Sequence, residues 1–588
     1  MSTPFAGSVQ VIGSTGPVSG ALIDTFVSGT LTPQAAYTTA SLSTPHSNPI
    51  VCDSLGRAAV WLNPALTYRI RYRNADGTVI SGADFDEVES PSVAEPEPPA
   101  ATDVDALDVT FTPAGPGAAE SNVQAKLREW VSVKDHGAAG DNAANDGPDV
   151  RSVLQSFGLL GGLVRVPHDI YRIDASVGSG LTISDPVSLV GEGGVYTAIN
   201  PAGAASTDNT ISVIPGAVDH TLQKIEGLSL HNPYTGQRVG NHGIYLDTQT
   251  ASRNLSKFTI RDVLVGQGNN ASGYGIYHLN NGTNNINGGL FGSLFQNNNI
   301  KGGVKFEGSG DSLSVLHNII TGSGIGVNAS LVFGASLLEV QANNITNDGG
   351  AIRIDAGSRP RIIGNNIENL APGAAAQNDS AVVNITGANG VIYGGVIKEN
   401  LISGFGTSGA TTLLRMRNCR GTLVEDNVML SGAAGLTVGV DIGTDCQSVR
   451  IGANSFNAGI TTRVLDNGVG TMGVLKTATL QNSWVAFAVG TAPLKFIKSG
   501  DGLVHLYGCI KSGTTTNDTI IATLPVGFRP SEVIRAPVMV VNAGTPQIAE
   551  VSVESDGNVR INYVLSSNQL NINLTFPADE LAHAASLE

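Results

Sequence analysis

One short pattern recurs through the middle of this chain and limits the folds open to it. A polar residue, an asparagine and an aliphatic residue return together at Asn299-Ile300, Asn318-Ile319, Asn344-Ile345, Asn366-Ile367, Asn400-Leu401 and Asn427-Val428, and more weakly at Asn454 before Phe456. The intervals are 19, 26, 22, 34, 27 and 27 residues. Self-similarity at roughly 20–30 residues, made of short strands and turns, is the mark of a solenoid. A leucine-rich repeat would need its own leucine spacing, and a propeller blade needs about 40 residues. A coil of three short strands and three turns fits, which predicts a parallel β-helix. A residue repeated at one coil position then stacks on its copy about 4.8 Å away. Asparagine amides stacked this way can hydrogen-bond along a ladder. The longest interval leaves room for a protruding loop at 371–379.

Composition agrees with an all-β chain rich in turns. There are 73 glycines with no collagen-like period, only 14% of residues are charged, and 41% are hydrophobic. Lysine plus arginine total 33 against 49 aspartates and glutamates, a net charge of −16. That balance argues against nucleic acid and anionic membrane as partners. No apolar run is long enough to span a bilayer, and no Lys or Arg precedes Arg57 to supply the basic start of a secretory signal. Cys52, Cys419, Cys446 and Cys509 lack zinc-site spacing, and Asp103-Val104-Asp105 lacks the glycine and glutamate of a calcium loop. No metal and no cofactor are therefore expected. Cys419 and Cys446 lie 27 residues apart and are expected to stack in neighbouring coils as buried thiols, consistent with assembly in a reducing cytosol.

Four segments follow. Residues 1–84 alternate apolar and polar residues between Gly/Pro/Asn turns and read as a small N-terminal β-domain. Residues 85–120 begin with an acidic, proline-rich stretch (Asp86, Glu87, Glu89, Glu95, Glu97) and read as linker and neck. Residues 121–474 hold the β-helix, led in by a short helix at 121–130 and another at 148–157 with Pro148 in its first turn. Residues 475–588 return to period-two strands such as Leu503-Val504-His505-Leu506-Tyr507 and read as a C-terminal β-sandwich.

Several stretches carry a family resemblance. Val131-Ser132-Val133-Lys134-Asp135-His136-Gly137-Ala138-Ala139-Gly140-Asp141 resembles the lead-in of pectate-lyase-like right-handed β-helices in bacteriophage tailspikes, and residues 109–115 and 123–129 resemble what precedes it. Residues 29–62 are similar to modules that attach such spikes to the virion, and Leu524-Pro525-Val526-Gly527-Phe528-Arg529-Pro530 is similar to the terminal sandwich of tail fibres. His136 and Pro148 depart from the usual pattern at positions that carry no chemistry. The resemblance implies a homotrimeric spike in the virion tail. Its N-terminal domain would join a tail or baseplate protein, and its β-helix would bind and cleave a bacterial surface polysaccharide. No catalytic signature comes with it.

Glycoside hydrolysis needs two carboxylates, about 5–5.5 Å apart for retention and about 6.5–9.5 Å for inversion. Stacked coils offer about 4.8 Å or twice that. The candidates are Glu307, Asp311, Glu339, Asp355 and Glu368, with Asp348, Glu399 and Asp426 behind them. Glu339, Asp355 and Glu368 look densest, and Arg353, Arg359 and Arg361 among them could keep one carboxylate ionised. Glu399 and Asp426 precede ladder asparagines, as His317 does, and read as outer-face structure. Gly310-Asp311-Ser312-Leu313 spells a serine-esterase string without its companion blocks, so it reads as chance.

For sugar stacking, Tyr234, Tyr245, Tyr274, Tyr277 and His278 cluster with His231, His242 and Arg238, and Arg353 and Arg361 could hold polar groups of the substrate. Endolytic hydrolysis is the leading expectation. A lyase using Arg353, Arg361, Tyr274 or His278 near a uronic acid is the first alternative. A glycan-binding adhesin without activity is the second, and a deacetylase is a weaker third.

Overall fold

The computed structural model describes residues 6–90, 108–112, 114–128, 131–174, 180–202, 208–235, 237–238, 241–250, 252–268, 273–280, 289–322, 324–333, 337–347, 350–356, 359–369, 381–405, 411–432 and 434–579. The chain divides into two compact units, residues 1–124 and 125–588.

In the first unit a four-stranded antiparallel sheet runs in the order Ile50–Val51, Leu22–Val27, Thr67–Arg73, Val79–Glu89. Ile23, Ile50, Val60, Tyr68 and Ile70 form its core. The last strand runs past residue 84, so Asp86, Glu87 and Glu89 belong to the sheet and not to a linker. The cause is local. Phe85 and Val88 pair with Ile70 and Tyr68, while the Asp86 carboxylate accepts bonds from the Ser28 hydroxyl and the Gly29 amide. The rest of the acidic stretch, with Glu95, Glu97 and Asp103–Asp105, lies outside the described residues. So does Trp130 of the short helix, which spans Val123–Arg128.

The second unit is a parallel β-helix. Three parallel sheets contain 12, 11 and 14 strands, and successive strands around the coil pass from one sheet to the next. The first sheet runs from Val131–Ser132 to Arg450–Ile451, the second from Asp169–Asp174 to Ser455–Phe456, and the third from Leu181–Ile183 to Thr462–Asp466. Crossovers between parallel strands of L-residues take the right-handed sense. The helix Gly147–Leu154 buries Val150, Val153 and Leu154 against the first coils; it ends before Phe157, which packs partly buried against the same core.

The interior is built from aliphatic columns. In the first sheet Val164, Leu189, Ile225, Ile260, Phe295, Val315, Val340, Ile362, Ile397 and Val424 pair in direct succession. In the second sheet Ile300, Ile320, Ile345, Ile367, Ile402 and Met429 do the same. Each such side chain contributes about 1.5–3 kcal/mol on burial. The alternation that directs one residue inward directs its neighbours outward.

The asparagine ladder is present, with its register one residue earlier at three rungs. The buried rungs are Asn298, Asn318, Asn343, Asn365, Asn400 and Asn427, followed by Asn454 at the end. Each Nδ2 donates to the Oδ1 of the next rung at 2.9 Å. It also donates to a backbone carbonyl of the preceding coil, such as Val340 for Asn365. Each Oδ1 also accepts the backbone amide of the rung before it. Asn299, Asn344 and Asn366 instead occupy the outward position between the rung and the inward aliphatic residue. The turn explains why the earlier asparagine is chosen. Residues before the rungs, including Asn297, His317, Ala342, Glu399 and Asp426, sit in the left-handed region, which aims the next side chain into the corner. Glu399 and Asp426 surround Lys398, which matches a structural role for that row.

Cys419 and Cys446 are free, buried thiols on adjacent coils, as their spacing suggests. The 371–379 loop and Asp348 lie outside the described residues. Beyond the last coil, nine strands make one antiparallel sheet whose halves are joined where Met539 and Val540 pair with Asn571 and Leu570 and where Leu480 bridges Ala522. Phe496, Leu506 and Phe576 from one half share a core with Val540, Val551 and Ile561 from the other, which gives the layered arrangement of a sandwich. Its junction with the coil is tight. A side chain at Gly527, in the left-handed region, would place a Cβ 2.5 Å from the Gly470 Cα.

The ladder register is testable by thermal unfolding. Asn365→Ala removes a rung and leaves several buried partners unsatisfied, with an expected loss on the order of 3 kcal/mol or more. Asn366→Ala, one residue on and exposed, is expected to leave the midpoint within a degree or two. Equal effects would refute this register.

Candidate functional site

The outward side of the third sheet gathers aromatic, amide and ionic side chains in one column. Successive coils present Ile244-Tyr245-Leu246-Asp247, Ile276-Tyr277-His278-Leu279, Val304-Lys305-Phe306-Glu307, Val327-Asn328-Ala329-Ser330, Ile352-Arg353-Ile354-Asp355, Val383-Asn384-Ile385-Thr386, Leu414-Arg415-Met416-Arg417 and Val440-Asp441-Ile442-Gly443. The first residues of these tetrapeptides pair coil to coil, and so do the second. First and third residues point into the core. Second and fourth residues therefore line a recessed strip, with Tyr245, Tyr277, Lys305, Glu307 and Arg353 half-buried and Asn328, Asp355, Asn384 and Asp441 buried.

At the N-terminal end of the strip the aromatic rings form one cluster. His242 stacks on Tyr245 at 5.8 Å and meets Tyr277 edge-on at 4.6 Å, and Tyr274 lies 5.8 Å from Tyr277. The His242 Nδ1 accepts the Tyr274 amide, which fixes the ring. Lys305 Nζ lies over the Tyr277 ring at 4.9 Å and bonds Glu307 at 2.7 Å. The Tyr277 hydroxyl donates to Glu307 at 2.5 Å. Burial first, and then the neighbouring Glu307, push the Tyr277 phenol upward, so it stays a donor. Burial also pushes the Glu307 carboxyl up. The Lys305 ammonium and the Tyr277 hydroxyl together outweigh it and hold the group below the ordinary glutamate range.

Two coils further on, Asp355 accepts from Arg353 Nε at 2.8 Å and from the Thr386 hydroxyl at 2.7 Å. It occupies a bulge opposite Ser330, which itself pairs with Glu307. Glu307 and Asp355 are therefore separated by two coil spacings, about 9.6 Å. Further along, Arg415 and Arg417 both bond Asp441, at 3.2 and 2.7 Å. At the other end, Asp247 caps its own turn by accepting the amides of Gln249 and Thr250.

The structure brings together Tyr245, Tyr274, Tyr277, Glu307, Arg353 and Asp355. It separates the rest. Glu339 and Arg361 face outward from the first sheet, bonded to each other at 3.5 Å, and Glu368 sits on the second sheet. Glu339, Asp355 and Glu368 are close in sequence but occupy alternate strands around the coil, on the first, third and second sheets, and this directs them to three different sides. Asp311 follows the corner after Gly310 and pairs with Phe291, away from the strip, and Arg359 occupies an exposed left-handed turn. Ser312 of the esterase-like string is likewise a left-handed turn residue bonded to Asp311. Tyr234 is 72% exposed in a turn after the second sheet. His278 cannot meet a sugar. It is the inward residue of its tetrapeptide, fully buried and bonded to Thr248, and burial pushes its imidazole down to about 3.

Sequence reasoning missed Lys305, Asn328, Asn384, Arg415, Arg417 and Asp441. The signal for them is the tetrapeptide series, which becomes visible once the third-sheet strands are aligned by their inward aliphatic residues. Among the described residues no group of His, Cys, Asp and Glu could hold a metal ion, and no helix is long and apolar enough to cross a membrane.

No protein-family model and no curated protein sequence matches the chain. Solved structures do. The Dettilon tailspike protein is similar over 77% of this chain and 95% of its own, at 12% identity and a TM-score of 0.46. The DFA-IIIase of Arthrobacter chlorophenolicus A6 is similar over 58% of this chain and 94% of its own, at 12% identity and 0.44. A tailspike protein of E. coli bacteriophage HK620, solved as a mutant with a pentasaccharide, is similar over 80% and 96%, at 12% and 0.33. At these identities and scores the likenesses carry no activity or substrate to this chain, and the fold rests on its own strand pairing.

The Glu307 environment predicts a pH signature. A carboxylate whose folded pKa is lowered stabilises the protein above its unfolded value of about 4.3, and that contribution disappears as pH falls through the folded value. Wild type should therefore melt above Glu307→Gln at pH 7, and the gap should begin to narrow near pH about 4.3 and close as the pH falls through the lower folded value. A gap that stays constant across this range would contradict the ionised assignment.

Proposed function

We propose that the chain is a phage tailspike that binds a bacterial surface polysaccharide along the third sheet and cleaves it internally by hydrolysis. The observation that carries this reading is the strip itself. Phenol faces for stacking on pyranose rings lead directly into a row of alternating donors and acceptors that repeats at the coil spacing. A polymer with repeating hydroxyl groups is the ligand such a row suits. The tailspike resemblance of residues 131–141 and 524–530 supports the setting, a homotrimer in the virion tail held through its N-terminal unit.

For cleavage, Glu307 and Asp355 are the pair taken from the four carboxylates of the strip, because Asp247 caps its own turn and Asp441 is held by two arginines. The backbone positions of Glu307 and Asp355 are two coil spacings apart, about 9.6 Å, which is far from the retaining carboxyl separation of about 5–5.5 Å and just above the inverting range of about 6.5–9.5 Å. Glu307, kept ionised by Lys305 and Tyr277, is the base that takes a proton from water. Asp355 is the more enclosed of the two, with 12% side-chain exposure against 32%. In this reading it is the acid to the leaving oxygen. Inversion follows, because water and leaving group occupy opposite faces of the ring.

A second reading, an adhesin that binds without cleaving, is favoured by one observation: both carboxylates are already tied to a cation, Glu307 to Lys305 at 2.7 Å and Asp355 to Arg353 at 2.8 Å. The assay is release of new reducing ends from purified bacterial surface polysaccharide. Glu307→Gln and Asp355→Asn are each expected to lower the rate by about 10²-fold or more while binding is retained. Binding without release by wild type would replace the hydrolase with the adhesin. Products with an unsaturated, ultraviolet-absorbing end would replace it with a lyase.

A further inference from the structure

Each cation of the strip is already bonded to one of its carboxylates, and this bears on the class of polysaccharide it takes. Four cations, Lys305, Arg353, Arg415 and Arg417, share the strip with four carboxylates, Asp247, Glu307, Asp355 and Asp441. Each cation is bonded to one of these acids at 2.7–3.2 Å: Lys305 to Glu307, Arg353 to Asp355, and both Arg415 and Arg417 to Asp441. Between the pairs stand the uncharged amides Asn328 and Asn384.

Resting on the glycan reading above, we infer that this site takes a neutral polysaccharide, one whose repeat carries no uronate, sialate or phosphate. An anionic sugar reaching a cation here would have to share it with a carboxylate already bonded to it. The two negative charges would then stand side by side in a recessed setting with weak screening. Hydroxyl groups meet no such conflict. One hydroxyl of a vicinal pair accepts from the guanidinium or ammonium while the other donates to the carboxylate, and the ion pair stays whole. The chain as a whole, at −16, adds no long-range attraction for a polyanion. A neutral substrate also excludes β-elimination, which needs a carboxylate on the sugar to acidify the proton that is removed.

The test uses alginate, a polyuronate, as the probe, with the full-length protein, and asks whether the carboxylates keep it out. Wild type should not bind alginate. The isosteric double variant Glu307→Gln with Asp355→Asn removes the carboxylate charges beside Lys305 and Arg353 and should gain at least about tenfold in alginate binding. That gain should be lost between roughly 0.05 and 0.5 M salt. The single variant Glu307→Gln should be intermediate, and thermal melts check that both variants are folded. Salt-sensitive binding of alginate by wild type would overturn the neutral class and leave the glycan reading standing. Folded variants that gain nothing would show that the pairs do not set selectivity, which also overturns it. Failure of the glycan reading itself would be seen separately, as absence of both binding and reducing-end release on bacterial polysaccharide.

Discussion

Everything in the coiled part of this molecule depends on one constraint: equivalent residues of successive coils must lie directly above one another. The asparagine ladder enforces it at the corner between the first and second sheets. A rung shifted by one residue would lose its amide partners on both sides and turn the aliphatic columns outward. Because Asn298 to Asn427 are buried and bonded to both neighbours, the register fixed at this corner carries around the coil to the third sheet. The strip from Tyr245 to Asp441 is therefore a consequence of packing. Residues 23–32 apart in sequence become neighbours at one strand spacing.

That dependence explains which features could be read from the sequence. The solenoid was legible because a ladder needs the same residue at each rung, and repetition survives without knowledge of the fold. The stacked pair Cys419 and Cys446 was legible for the same reason. The rung itself was legible only to within one residue. In Gln296-Asn297-Asn298-Asn299-Ile300 three asparagines compete, and only the left-handed conformation of Asn297 selects Asn298.

The candidate site was harder to read. Proximity in sequence grouped Glu339, Asp355 and Glu368, although a chain that turns every few residues sends near neighbours to different sides. His278 looked like a member of the aromatic group, yet the period-two alternation that places Tyr277 outward places His278 in the core. Lys305, Asn328 and Arg415 were passed over because none is unusual by itself. Their meaning lies in sharing a column with Tyr245 and Tyr277, and a column requires the strand alignment. Two single-residue registers, one at the ladder and one in the third sheet, separate a list of carboxylates from the pair Glu307 and Asp355.

The central proposal is that the third sheet is the polysaccharide-binding face. A structure determined with an oligosaccharide prepared from a bacterial surface polysaccharide tests it most directly. The account predicts sugar rings against Tyr245 and Tyr277, with hydroxyl groups bonded to the Lys305–Glu307 and Arg353–Asp355 pairs. An oligosaccharide seated on the first sheet near Glu339 and Arg361, on the second sheet near Glu368, or in the C-terminal sheet would contradict it.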